Sequence, residues 1–300
     1  MVNKEISAKG GVFALGNFDG VHRGHRIVVE SAVEKARARN IPARVLTFEP
    51  HPRSIFQPDA PPFRLTPFAV KERLLKACGI DDVCVCPFTP EFAQLSAQDF
   101  VDHILLERFG AQHVVAGHDF VFGHKRGGNM QKLAAWLAPH GVEVTEIAPV
   151  ADLDTNAFSA TRIRQFLQMG KVAEALEMLG HDWSISGTVI KGQQRGRTIG
   201  VPTANIALGE YLRPKFGVYA VRAGRAGEAL THRGVANIGL RPTVNGESEN
   251  LEAHLFDFNQ DIYGQEWEFA LTRFIRPERK FDSFNALKAQ IALDIEAAKN

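Results

Sequence analysis

Cysteine is scarce: Cys78, Cys84 and Cys86 are an odd trio in a chain of 300 residues, which argues against a disulfide scaffold. Cys84 and Cys86 lie in an apolar run and are expected to be small buried residues. No apolar run approaches the ~20 residues that a membrane-crossing helix needs. The opening MVNKEISAKGG also has no hydrophobic signal core, so a cytoplasmic protein without a membrane partner is expected. An excess of one charge is missing too. With 35 basic and 34 acidic residues the formal net charge is +1, which argues against a nucleic-acid or membrane-surface binder, so any basic site has to be local. GxGxxG, a Walker A loop and HExxH are absent as well, and with them the signatures of dinucleotide, P-loop and zincin chemistry.

What is present, 45% hydrophobic residues, fills either one large domain or two ordinary ones. The first half alternates between two periods. Strand-like runs fall at Val12 to Leu15, Ala43 to Phe48, Val83 to Pro87, His113 to Ala116 and Val142 to Ile147. Helical patterns begin near His25 and lie around Ala69 to Ala77, Ala97 to Phe109 and Met130 to Ala138. Such alternation predicts a parallel sheet covered on both faces, a Rossmann-like α/β domain. The segment Pro50 to Pro67 has six prolines, too many for a regular element, and reads as an ordered or mobile flap or a plain surface loop.

VFALGNFDGVHRGHR, Val12 to Arg26, is then strand, loop and helix, opening at the carboxyl edge of that sheet. Gly16, Gly20 and Gly24 allow close approach of backbone to a ligand, and the helix amino end is a ready anion site. Asn17, Asp19, His22 and His25 crowd into the same segment. The HxGH spacing puts His22 and His25 on one helical turn, where both imidazoles reach one group of oxygens. That suits nucleotidyl transfer, whose demand is positioning and charge stabilisation at the α-phosphate. The plain alternative is a helix cap with two incidental histidines. A second glycine-rich loop, GHDFVFGHKRGGN, follows the fourth run. Asp119 there suits ribose hydroxyls or a metal, and Lys125 and Arg126 suit phosphate, although a solvated turn has the same composition. In FSATRIRQFL, Ser159 and Thr161 read as a helix cap. Arg162 and Arg164 in the first turn oppose the helix dipole, a conflict that a bound phosphate relieves.

After a short helix at Val172 to Leu179 the texture changes near Gly180. Six strand-like runs follow, and then one helix from Ser283 to Ala298 with Leu287, Ile291 and Ile295 at packing spacing. A small all-β domain, a six-stranded barrel with a carboxyl-terminal helix, is expected at 181–300, after an α/β domain at 1–180. GTVIKGQQRGRTIGVPTANI supplies a basic glycine arch suited to polyphosphate, with Lys191, Gly192, Arg197 and Gly200; a ligand-free basic hairpin is the alternative. Pro202 fixes the start of PTAN. Thr203 and Asn205, two apart in an extended segment, point to one side with the hard oxygens that Mg²⁺ prefers. In LEAHLF, Glu252 and His254 share the face opposite Leu251, Ala253 and Leu255.

GNFDGVHRGH followed by FEPHP, Phe48 to Pro52, resembles the adenylyltransferase half of the prokaryotic bifunctional riboflavin kinase/FAD synthetases. PTAN, GVYAV at Gly217, GVANIGLRPT at Gly234 to Thr243, LEAHLFDF at Leu251, DIYG at Asp261 and FIRPERKFDS resemble the kinase half. The resemblance implies ATP, riboflavin and FMN as substrates with Mg²⁺. The nucleotide would lie at Gly16, Asn17, Phe18, Asp119 and the SATRIR segment at one site, and at the basic arch at the other. It further implies that Glu252 is the kinase base and that Asn237 and Arg241 adjoin the flavin. The charges of FIRPERKFDS are expected to face solvent. The family reads SSTxIR where this chain has Ala160, so one competing reading is a kinase with a silent first domain; the other is a flavin- or nucleotide-binding regulator that uses the same folds without turnover. The implied partners are small molecules alone, bound by a monomer or weak homo-oligomer.

Overall fold

The computed structural model describes residues 9–149, 158–191, 202–243 and 246–300, with side chains outside 241–248. Packing divides the chain into two compact units, Met1–Ala60 with Phe68–Phe158, and Pro61–Pro67 with Ser159–Asn300.

Five strands form the sheet of the first unit: β1 (Val12–Leu15), β2 (Ala43–Glu49), β3 (Asp82–Pro87), β4 (His113–Gly117) and β5 (Glu143–Ile147). Their order is β3-β2-β1-β4-β5 and every neighbour is parallel. α1 (Arg23–Ala38), α3 (Phe68–Ala77), α4 (Ala97–Asp99) and α5 (Met130–Leu137) lie between them, with the short α2 (Pro52–Phe56) after β2. The central strands are apolar on both faces because helices cover both. Val12 and Ala14 pack with Val29, Ala32 and Leu75 of α1 and α3, whereas Phe13 and Leu15 pack with Val101, Leu105, Leu133 and Leu137. Cys84 and Cys86 are buried in the second of these cores, as expected. α4 continues as a π-helical stretch, Phe100–Arg108, so the regular helix expected there is wider than an α-turn. Strand order reverses between β1 and β4. The loops leaving those two strands therefore diverge and open a crevice at the carboxyl edge, where ligands bind such sheets.

The second unit holds β6 (Ser184–Thr188), β7 (Ala204–Ala207), β8 (Gly217–Arg225), β9 (His232–Thr243), β10 (Gly246–Leu255) and β11 (Glu266–Pro277). Its order is β6-β11-β8-β9-β10-β7, with antiparallel neighbours throughout. A bridge from Ile190 N to Asn205 O at 2.8 Å brings the two end strands together, giving the nearly closed six-stranded barrel. α8 (Phe284–Lys299) packs Ile295 and Ala298 on Val218, Ala220 and Val235.

α6 (Ala160–Met169) and α7 (Val172–Leu179) cluster with the second unit, and Gly180 is the left-handed cap of α7 at φ +74°. Two local expectations change. The proline-rich segment is not one flap. Pro52 opens α2 under a His51 cap, whereas Leu65 is fully buried in the second unit, where Trp183 Nε1 donates to its carbonyl at 2.8 Å. The charges of FIRPERKFDS do not all face water either. Arg276 forks onto the buried Asp294 carboxylate at 2.8 and 2.6 Å.

Candidate active sites

The first candidate site is built on the turn from β1 into α1. Gly16 N donates to Leu46 O at 3.2 Å, and Asn17 O accepts from Thr47 Oγ1 and Lys71 Nζ, each at 3.2 Å. Phe18 and Val21 take φ +51° and +41°, left-handed values that are costly for side chains of this kind and gather at functional sites. The Phe18 ring is buried against Val28 and Val29, which holds the turn in that conformation.

His22 is the N-cap of α1, and its Nδ1 accepts from His25 N at 3.3 Å. The helix cap and the histidine pair, alternatives in the sequence, are thus one arrangement. With Nδ1 accepting, the neutral imidazole carries its proton on Nε2, a donor. The two rings stack with centroids 3.6 Å apart at 17°, and the Phe18 ring meets His25 edge-on at 5.3 Å. No acidic residue stands in the first turn of α1, where Arg23, His25 and Arg26 put basic side chains at the positive end of the dipole, a mismatch that an anion relieves. Asn17 Oδ1 is buried and accepts no hydrogen bond from the described residues. At the end of β4, Asp119 is exposed with Lys125 and Arg126, and Phe122 pairs with Gly128 across the loop.

Ser159, Thr161, Arg162 and Arg164 fold with the second unit. Ser159 caps α6, accepting from Thr161 N at 3.2 Å, so the cap does not need a serine at Ala160. Arg164 donates from Nε to Phe63 O at 2.9 Å, an anchor for the buried proline-rich strap that the sequence did not reveal.

The second candidate site lies on the barrel. Glu252 of β10 is directly opposite Asn205 of β7 on one side and Asn237 of β9 on the other. Residues opposite one another share a face, so Asn205, Glu252 and Asn237 form a row across three strands. Asn205 is buried and its Nδ2 stands 3.4 Å from Thr203 Oγ1. His254, two residues on from Glu252, contacts Pro202 O through Nδ1 at 2.9 Å and ties the PTAN segment to β10. Asn237 Nδ2 donates to Glu278 Oε1 at 2.9 Å, and a Cβ on Gly239 would collide with that carboxylate. The Lys191 ammonium lies 5.6 Å above the Tyr263 ring of DIYG. Gly192, Arg197 and Gly200 lie outside the described residues, as does the Arg241 side chain. Among the described residues no group of three or more His, Cys, Asp or Glu gathers as a metal site.

Lys71 is the buried charged residue beside the β1–α1 turn that the sequence did not reveal. It falls on the Phe68, Lys71, Leu75 stripe of α3, where a core-facing residue is due, and a lysine on that face was the available signal.

An anion-ready helix end at a doubly wound switch point, and a carboxylate in a row of amides on a barrel, define an enzyme class that handles phosphates at two places. Residues 4–162 match the FAD synthetase family model and residues 179–300 the riboflavin kinase model. The chain belongs to the bifunctional riboflavin kinase/FMN adenylyltransferase family. It is 42% identical over 286 residues to the Escherichia coli K12 protein of that name, covering 95% of this chain and 91% of the relative. The Bacillus subtilis protein is 39% identical over 300 residues, covering 98% and 93%. A crystal structure from Streptococcus pneumoniae, described as a macrolide-efflux protein, superposes with TM-score 0.85 at 35% identity over 97% of this chain and 94% of that one. Among the described residues here no helix is long and apolar enough to cross a membrane.

Proposed function

We propose that the chain makes FMN from riboflavin and ATP, and then FAD and pyrophosphate from FMN and a second ATP. The kinase is assigned to 181–300 and the adenylyltransferase to 1–180. The observation that carries the reading is that one chain holds both the stacked His22–His25 pair at the head of α1 and the Asn205, Glu252, Asn237 row.

The two reactions ask for different groups. An alcohol has to lose a proton as it attacks, and Glu252 takes it from the ribityl 5′-hydroxyl while that oxygen attacks the γ-phosphate and ADP leaves. A phosphate monoester, with a second pKa of about 6, arrives already deprotonated. The first site therefore needs donors and no base: the FMN phosphate attacks the ATP α-phosphate, pyrophosphate leaves, and His22 and His25 donate to the charge that builds between them. Gly16, Asn17, Phe18 and Asp119 complete the nucleotide contacts there, and Ser159, Thr161, Arg162 and Arg164 are assigned to nucleotide binding as well. In the kinase, Lys191, Gly192, Arg197, Gly200 and Pro202 hold ATP, and Asn237 and Arg241 hold the flavin.

Thr203 and Asn205 fit Mg²⁺. A hydroxyl and an amide side by side supply two hard oxygens once the amide oxygen is turned to Thr203, and phosphates and water fill the remainder of an octahedron. The metal offsets triphosphate charge; a chelator is expected to stop both steps, and excess Mg²⁺ to restore them. The enzyme is assigned to the cytoplasm as a monomer or weak homo-oligomer. Incubation of the pure protein with riboflavin, ATP and Mg²⁺, followed by chromatography of the flavins, tests the reading. FAD supports it, FMN alone leaves a kinase with a silent first domain, and unchanged riboflavin leaves a binding protein.

A further inference from the structure

Lys71 is completely buried, yet its ammonium spends all three of its donors. It bonds Glu49 Oε1 at 2.7 Å, Thr47 Oγ1 at 3.1 Å and Asn17 O at 3.2 Å. A buried ion pair is a poor device for stability, since a well-packed apolar residue of similar volume serves as well or better. What methionine could not do is grip a main-chain oxygen, and the oxygen gripped here belongs to the loop between β1 and α1. Thr47 Oγ1 donates to the same Asn17 carbonyl at 3.2 Å. In a planar trans peptide the C=O and the following N–H point in opposite directions. With Asn17 O drawn down onto Lys71 and Thr47, the Phe18 N–H is directed away from them. Neither Asn17 N nor Phe18 N donates to any described residue. The left-handed Phe18 backbone, at φ +51°, is thus clamped by the carbonyl before it and by its own buried ring.

We propose that Lys71 is a positioning residue for adenylyl transfer: through the Asn17 carbonyl it aims the Phe18 N–H at the transferring phosphate, with Glu49 as its counter-charge. This rests on the adenylyltransferase reading above. The role is distinct from that of His22 and His25, because Lys71 acts through main chain and does not touch the substrate.

The test uses the full chain with Asn labelled at its carbonyl carbon and Phe at its nitrogen. Asn–Phe occurs once in the sequence, at Asn17–Phe18, so one amide signal reports the peptide in question. Lys71→Met is combined with Glu49→Gln so that no unpaired charge is left buried. Inorganic pyrophosphate with Mg²⁺ is expected to shift the Phe18 signal in the wild type and to leave it nearly unmoved in the double variant. The kcat for FMN to FAD should fall about 100-fold, the cost of a donor misplaced by about 1 Å. KM for FMN should stay close to the wild-type value, and riboflavin phosphorylation by the same molecules should be unchanged. Thr47→Val, which removes the second grip on Asn17 O and leaves the ion pair, should give a smaller loss in the same direction. A folded double variant that makes FAD at the wild-type rate overturns the proposal. Should the wild type make no FAD, the adenylyltransferase reading fails and the Phe18 signal alone decides. A shift confined to the wild type supports the clamp; no shift in the wild type, or equal shifts in both proteins, overturns it.

Discussion

Gly24→Ala sets helix stability against site geometry. Gly24 is the second residue of α1, where alanine is favoured over glycine by up to about 1 kcal/mol in a helix interior and by less this close to an end. The added Cβ, however, would stand 3.2 Å from His22 Cε1, 3.3 Å from His22 Nδ1 and 3.3 Å from Phe158 Cβ. Comfortable carbon contacts begin at about 3.5 Å, so two neighbours have to give by about 0.3 Å. The methyl is held between them, and the ring that yields is the one stacked on His25 at 3.6 Å. Its Nδ1 also accepts the capping bond at 3.3 Å, which has little length to spare. The propensity gain and the weakened cap oppose one another, leaving the unfolding midpoint close to that of the wild type. The donors, in contrast, move by a third to half of an ångström, which translates into roughly a tenfold loss of adenylyl transfer. FMN-to-FAD conversion by chromatography, thermal unfolding, and riboflavin-to-FMN conversion as the internal control measure the three quantities. Wild-type FAD formation in the substituted protein would refute the assignment of the His22 ring, and a large fall in stability would refute the packing argument.

Two further outcomes follow from ionisation. Asp81 accepts a two-pronged bond from Arg37 at 2.7 and 3.0 Å and the Ala43 N–H at 2.8 Å, and the Arg37 guanidinium above all holds its carboxyl below the usual range. A depressed carboxylate stabilises the fold above its unfolded pKa and loses that contribution as pH falls through the folded one. Asp81→Asn should therefore cost stability at pH 7, modestly for so exposed a pair, with the gap to wild type closing below about pH 4; thermal unfolding across pH 3 to 7 reads it, and a gap independent of pH contradicts the ion pair. Burial pushes the Cys84 and Cys86 thiols up to about 11 and about 12. Thiolate is the reactive form, so iodoacetamide at pH 8 should leave both unlabelled in native protein and label both in denaturant, as mass spectrometry of the digest would report.

Much of the architecture was legible because each strand in the first half is apolar on both faces and stands between helical patterns. Val12 to Leu15 is the same stretch in sequence and structure. The barrel was legible from alternation, which put Glu252 opposite the apolar face of Leu251 and Ala253. Alternation has no access to register, though. That Glu252 is level with Asn205 and Asn237 is a matter of hydrogen bonding between strands far apart in sequence. The misses have a common physical cause. Lys71 was hidden because a charged residue on a helix is usually solvated, and its burial depends on acceptors on β2 and in the β1–α1 turn. The bond from Arg164 Nε to the carbonyl of Phe63, about a hundred residues earlier, was equally hidden, because local composition does not reveal so distant an acceptor. The proline-rich strap was hidden for the same reason, since Leu65 is buried within the second unit, where its partner Trp183 lies more than a hundred residues further along the chain.

The sharpest division between the two sites comes from the nucleophile each has to activate. Glu252→Gln keeps the shape of the Asn205, Glu252, Asn237 row while removing the proton acceptor, so the alcohol is left unactivated and FMN formation should fall by about 10² to 10⁴, the usual worth of general-base catalysis. The phosphate nucleophile of the other step owes nothing to that carboxylate, and FMN supplied from outside should still become FAD at the wild-type rate. His25→Ala removes an imidazole stacked on His22, and with it a donor for charge developing at the α-phosphate. It should lower FAD formation by about 10² to 10³ while riboflavin is phosphorylated normally. The two variants mixed in one tube, each intact at the site the other lacks, should together convert riboflavin to FAD through free FMN. A mixture that stalls at FMN, with both proteins folded and each active in its own step, would mean that the intermediate is not freely exchanged. A loss of both activities in either folded variant would mean that Glu252 and His25 serve one site.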